Sequence, residues 1–137
     1  LWHALDVAQG GFVRGLPDAL GTRVAQGGTN FSGGQRQRLA IARALVRHAD
    51  LYIFDDSFSA LDYKTDAALR HALEPELKNA ATLIIAQRVS TIHDADQIVV
   101  LRDGEVVGLG THDELMESCS TYRAIADSQS RGEDCHA

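Results

Sequence analysis

Ser32-Gly33-Gly34-Gln35-Arg36-Gln37-Arg38-Leu39-Ala40-Ile41-Ala42-Arg43-Ala44-Leu45, followed by Leu51-Tyr52-Ile53-Phe54-Asp55-Asp56, is the stretch on which the fold turns. Leu39, Ala42, Leu45 and Val46 recur at helical spacing and Ser32 is a favoured N-cap, so a helix is expected over roughly 33–47. Leu51 to Phe54 is apolar throughout, as a parallel strand buried on both faces requires. Glycines at a helix start let the backbone approach an anion with no Cβ in the way. The unpaired amides there, with about +0.5 of an elementary charge, favour a phosphate. Acids at the carboxyl edge of a parallel strand face the crevice where such sheets bind ligands, and a strand ending in two acids suits Mg²⁺. Taken alone, Ser-Gly-Gly reads as a flexible turn and the two acids as a solvated strand end. The basic, Ala-rich helix that follows the glycines changes that reading. The loop that would wrap phosphates, G-x-x-x-x-G-K-[ST], occurs nowhere in the sequence.

Outward from this core, residues 1–9 suggest a short helix and 10–31 a run of Gly-rich turns. Leu69, Ala72, Leu73 and Leu77 mark another helix, expected to break or kink at Pro75. Thr82 to Ala86 reads as a second buried strand, and Thr91 to Ala95 as a short helix. Asp103-Gly104 between two apolar runs is a hairpin signal, because such a turn needs positive φ. Thr111-His112-Asp113-Glu114 is a capping box opening the last helices, and residues 128–137 read as a frayed polar tail. The pattern is α/β, mostly parallel sheet flanked by helices, with a late antiparallel β-hairpin.

The chain is one domain's length at 137 residues, with 45% apolar and 23% charged content, ordinary for a globular domain. A net charge of −6 argues against a general nucleic-acid surface, although Arg36, Arg38, Arg43 and Arg47 cluster locally. No apolar run approaches the roughly 18 residues of a membrane span. Cys119 and Cys135 fit free thiols better than a disulfide framework, and the histidines show no metal-ligand spacing. Leu1-Trp2-His3-Ala4-Leu5 lacks the basic start of a secretory signal, and the missing initiator Met raises the expectation of a longer parent chain.

Phe31-Ser32-Gly33-Gly34-Gln35 with the helix after it resembles the signature loop of the ABC-type ATPases, LSGGQ, with Phe31 for Leu. Within that resemblance, Leu51 to Asp56 is similar to Walker B, and Ser59-Ala60-Leu61-Asp62 to the D-loop. Ile84-Ile85-Ala86-Gln87-Arg88-Val89-Ser90-Thr91 resembles the exporter stretch IIAHR-[LV]-ST, with Gln87 at the switch histidine. Thr22 to Gly28 is similar to the exporter X-loop T-x-V-G-E-[RK]-G, departing at Ala25 and Gln26. Ala95-Asp96-Gln97-Ile98 and Gly110-Thr111-His112-Asp113-Glu114-Leu115 match the exporter pattern downstream. The resemblance runs over residues 1–126.

The resemblance implies the C-terminal part of an exporter's nucleotide-binding domain, a partial P-loop NTPase fold without its Walker A half. Residues 1–50 would be helical subdomain and signature helix, 51–127 the Walker B, D-loop, switch loop, hairpin and terminal helices, and 128–137 the tail. It implies ATP and Mg²⁺ as cofactors, with Ser32, Gly33, Gly34, Gln35 and Asp62 toward the nucleotide and Asp55 toward the metal. Asp56 and Gln87 hold the catalytic positions, where the family usually has Glu and His. Asp56 is one methylene short for orienting water, and Gln87 lacks the imidazole charge. That paired departure implies the degenerate-site subunit of a heterodimeric exporter, with its intact signature loop acting in trans and membrane domains lying elsewhere. The parent would export lipids, drugs or peptides from the cytoplasmic face of the plasma (inner) membrane, with no nucleic acid as partner. A nonhydrolysing structural half is the rival reading. A DNA-maintenance ATPase is a remoter one, since that type inserts long coiled coils and lacks the Arg88-Val89-Ser90-Thr91 and Gly110-Thr111-His112 patterns. The signature loop is expected to lie outside the core.

Overall fold

The computed structural model describes residues 1–133; Cys135 and the end of the expected tail lie outside the described residues. The chain divides into two compact units, Leu1–Ile85 and the part from Ala86 onward. The first holds α1 (Trp2–Val7), three short 3₁₀ turns, α2 (Gly33–Leu45), β1 (Leu51–Asp55), α3 (Tyr63–Leu77) and β2 (Ala81–Ile85). β1 and β2 pair in parallel from Leu51↔Ala81 to Asp55↔Ile85, so the acid ends its strand beside the end of its neighbour. Parallel pairing needs a crossover, and α3 supplies it.

The core of this unit gathers Leu5, Ala8, Val13, Ile41, Leu45, Tyr52, Phe54, Phe58, Leu61, Leu69 and Leu73 from α1, the first 3₁₀ turn, α2, β1, the turn after it and α3. Tyr52 and Phe54 stack at 6.3 Å, and Phe54 meets Phe58 at 5.4 Å. Each such side chain contributes roughly 1.5–3 kcal/mol when fully buried. The strands depart from the expectation of burial on both faces. Tyr52 and Phe54 are buried, but Ile53 stays 60% exposed and Leu83 51%. The sheet of this unit has two strands, and the helices cover only the face that Tyr52 and Phe54 present.

Pro75 does not break its helix: α3 continues through it to Leu77. Proline cannot donate to the carbonyl four residues back. That carbonyl belongs to the exposed His71, where water can take the bond. Asp62 starts the helix, its carboxylate accepting from the Thr65 amide at 2.9 Å and the Thr65 hydroxyl at 2.7 Å.

The second unit holds α4 (Val89–Ile92), β3 (Ile98–Arg102), β4 (Glu105–Gly110), α5 (His112–Ser118) and α6 (Ser120–Glu133). Asp103 and Gly104 take φ of 53° and 83°, as a two-residue hairpin turn demands. The ladder steps from Val100↔Gly108 to Leu101↔Val106, leaving Val107 as a bulge. Thr111 and Glu114 form the expected capping box. Ile98, Val100, Leu115, Cys119 and Tyr122 make the core, and a Cβ at Gly108 would lie 2.9 Å from Cys119 Sγ. Two boundaries shift from the sequence reading. α4 opens at Val89 rather than Thr91, and α6 runs on to Glu133, so the polar stretch from 128 begins inside a helix. The expected α/β class, with a parallel pair and a late antiparallel hairpin, is what forms. Among the described residues, no helix is long and apolar enough to cross a membrane.

Candidate functional site

The start of α2 is built as a reciprocal cap. Ser32 Oγ accepts from the Gln35 amide at 3.2 Å, and Gln35 Oε1 accepts from the Ser32 amide at 2.9 Å. The Ser32 hydroxyl keeps its own proton to donate, and the amides of Gly33 and Gly34 are among those a first helical turn leaves without intrahelical acceptors. Phe31, the departure from the family Leu, is buried and meets Phe12 edge-on at 6.1 Å. The basic residues beside the loop are committed elsewhere. Arg36 donates to the Phe31 carbonyl at 2.7 Å, and Arg38 to the carbonyls of Gly34 at 3.3 Å and Gln9 at 3.1 Å. Their charge stays near the loop, but their geometry serves the backbone.

Ser32 to Gln35 lie outside the buried core, as the sequence led one to expect, yet the loop is packed against the turn after β1. A Cβ at Gly34 would lie 3.0 Å from the Ala60 carbonyl oxygen and 3.5 Å from Leu61 Cδ2. A Cβ at Gly33 would meet only Ala60 Cβ at 3.5 Å, an ordinary contact. Gly34 thus serves close approach inside the chain, whatever it offers a ligand.

Asp55 is exposed at the end of β1, and its carbonyl accepts from Ser57 Oγ at 3.4 Å. Asp56 takes φ of 48°, a left-handed conformation that Asp tolerates better than most residues. Its amide donates to the Ile85 carbonyl at 2.9 Å, which fixes the turn to β2. Gln37, which the sequence reading did not single out, reaches this turn from α2, donating to the Asp56 carbonyl at 3.1 Å and Ser59 Oγ at 3.1 Å. Its Oε1 accepts the Ala60 amide at 3.0 Å. Asp62 caps α3 with both oxygens, and these bonds from Thr65 hold its carboxyl below the usual carboxylate range. Any nucleotide role for Asp62 shares those oxygens. Ser32 to Gln35, Asp55, Asp56 and Asp62 therefore all stand around one turn of the first unit.

Gln87 belongs to the second unit, where it sits exposed in a bend before α4. Its carbonyl accepts from Gln129 Nε2 at 2.7 Å, while Gln129 Oε1 accepts the Val89 amide at 2.8 Å. One side chain of α6 thus clasps the backbone on both sides of Arg88. Sequence reasoning missed Gln129 because it lay in a stretch read as tail.

A family model described as ABC transporter matches residues 12–59, which include the α2 loop and the end of β1. An uncharacterized ABC transporter ATP-binding protein of Mycobacterium tuberculosis is 52% identical over 131 residues, 95% of this chain and 22% of that protein. An ATP-dependent lipid A-core flippase of Photobacterium profundum is 49% identical over 125 residues, covering 91% of this chain and 20% of the flippase. The solved structure of a bacterial Atm1-family ABC exporter with ATP bound superimposes with a TM-score of 0.86 at 33% identity, over 93% of this chain and 23% of that one. Over nearly its whole length this chain is similar to part of an ABC transporter ATP-binding protein. It spans about a fifth of the length of these relatives.

The residues of the site suit the groups that this similarity implies. Asp55 offers an exposed, hard carboxylate at a strand end, which fits Mg²⁺ held through one carboxylate, water and phosphate oxygens. Among the described residues, no cluster of three or more His, Cys, Asp or Glu could cage a metal by itself. An apolar cavity of about 590 Å³ beside α2 is lined by Leu5, Val13, Leu16, Phe31 and Leu39, among others, and not by Ser32, Asp55 or Asp56. No signal in the sequence pointed to Gln37: it lies two residues past Gln35, between arginines, at a position outside the apolar periodicity of the helix.

Proposed function

We propose that the chain powers export as one half of an ATP sandwich, its Ser32-Gly33-Gly34-Gln35 loop closing over ATP held by a second, nonidentical subunit. The observation that carries this reading is the start of α2. It combines a capped helix end, an exposed serine with a proton to donate, and two glycines that carry no Cβ beside their amides. Such an end stabilises phosphate oxygens by oriented amides and partial positive charge. Asp55 would hold Mg²⁺ through water, and that ion, when bound, neutralises charge on the β- and γ-oxygens. Asp56 takes the water-orienting position with a side chain one methylene short, and a misplacement of about 1 Å can cost on the order of 10²-fold in rate. Gln87 takes the switch position with a neutral amide. The chain's own acids then belong to the weaker site, and its signature loop to the stronger one. The names of the flippase and the exporter support a role in ATP-driven export, and in this reading the chain works on the cytoplasmic face of a membrane beside spanning helices outside its own sequence.

A second reading has Asp56 and Gln87 in its favour: a half that binds nucleotide and docks a partner without hydrolysing. Single-turnover hydrolysis by the full-length heterodimer separates the two. One ATP consumed per dimer, abolished by changing the partner's base and not by changing Asp56, is the expected result. No turnover at all would leave only the structural half.

A further inference from the structure

One side-chain amide of α2 makes three hydrogen bonds to the turn after β1. Gln37 donates to the Asp56 carbonyl and to Ser59 Oγ, both at 3.1 Å, and accepts the Ala60 amide at 3.0 Å. It therefore spans the turn from the acid to the residue that faces the glycines. Ala60 is also the residue whose carbonyl lies 3.0 Å from where a Gly34 Cβ would stand. Asp56 is fixed on its other side as well, its amide bonded to Ile85 at 2.9 Å. With both ends of that residue tied, the point from which its side chain leaves the backbone is fixed. Only a carboxamide offers a donor and an acceptor on one planar fork. Glutamate loses the donors, a basic residue loses the acceptor, and asparagine is a methylene short.

We infer that Gln37 is a positioning residue, which locks the phosphate-facing start of α2 to the Asp56–Ala60 turn so that the two move as one piece. This rests on the reading given under Proposed function. Asp56 and Ala60 are exposed, so water can satisfy the groups Gln37 would release. The fold should survive the loss, and the damage should fall on geometry.

The test is steady-state ATP hydrolysis by the full-length dimer carrying Gln37→Met or Gln37→Glu, with thermal unfolding of each. Arg38→Met serves as comparator, because Arg38 bonds to Gly34 and Gln9 on the same helix without touching the acid turn. Gln37→Met should lower kcat by about 10- to 100-fold with KM for ATP within about twofold, since misplacement rather than binding is at stake. Gln37→Glu, which keeps the acceptor for Ala60, should lie between it and the unsubstituted protein. An unchanged kcat in both variants would overturn the inference, as would a rise in KM with kcat kept. So would losses in Gln37→Met and Arg38→Met that track equal falls in unfolding temperature, for the residue would then be merely structural. Failure of both Gln37 variants to fold while Arg38→Met folds would overturn it too. Absence of ATP turnover in the unsubstituted dimer would sink the functional reading itself, and this inference with it.

Discussion

Gly33→Ala should make this domain more stable and less active at once. Gly33 opens α2 and is not among the glycines with positive φ, so alanine can adopt its backbone conformation. The added methyl would meet Ala60 Cβ at 3.5 Å, an ordinary contact that needs no rearrangement. Replacing a helical glycine under those conditions stabilises by roughly 0.5–1 kcal/mol, mostly through the unfolded chain. For a domain of this size that is an upward shift of about 1–5 °C in unfolding temperature. Gly34→Ala has the same propensity gain but places its Cβ 3.0 Å from the Ala60 carbonyl oxygen, so the turn must give and the gain should vanish or reverse. A methyl on either glycine should also crowd the approach of a phosphate to this loop. ATP turnover of the full-length dimer should therefore fall in both variants while their stabilities move in opposite directions. Differential scanning calorimetry of the expressed domain and a phosphate-release assay read the two effects. A Gly33→Ala variant that is stabilised and fully active would refute the claim that this loop approaches a phosphate, and a destabilised one would refute the description of the first turn of α2.

Asp56→Asn should reduce turnover only a few fold, against a loss on the order of 10²–10⁴ for Glu→Gln at the partner's equivalent position; comparable losses in a paired hydrolysis assay would make the Asp56 site catalytic. Asp62 is held below the usual carboxylate range by Thr65, so its contribution to stability is present above its unfolded value of about 3.9 and is lost as pH falls through the lower folded value. Asp62→Ser should flatten that acid limb, and an unchanged acid unfolding profile would contradict the cap. Gln129→Ala should speed amide hydrogen exchange at Val89 roughly fivefold, the equivalent of one lost hydrogen bond of about 1 kcal/mol; unaltered exchange would show that the clasp on the Gln87 bend is not formed.

The elements whose reasons are local were legible in the sequence. Ser32 and Thr111 each cap a helix within four residues, and Asp103-Gly104 sets its own turn. The misread features depend on neighbours far along the chain. Whether Ile53 and Leu83 are covered depends on what lies beyond a two-stranded sheet, which no apolar run can tell. Pro75 ends up harmless because the carbonyl it disappoints is on an exposed residue near the helix end. In the candidate site, the motif residues themselves could be named, but their supports could not. Gln37 and Gln129 are polar residues at positions without periodic meaning, and each works through bonds to residues at least 19 positions away.

The claim that this chain's loop serves another subunit's nucleotide is tested most directly by a structure of the full-length dimer closed on Mg-ATP. Ser32 Oγ and the Gly34 amide should lie within hydrogen-bond distance of a γ-phosphate whose own phosphate-wrapping loop belongs to the partner. A closed, ATP-bound dimer in which that loop covers nucleotide held by its own chain, or faces solvent, would contradict the account.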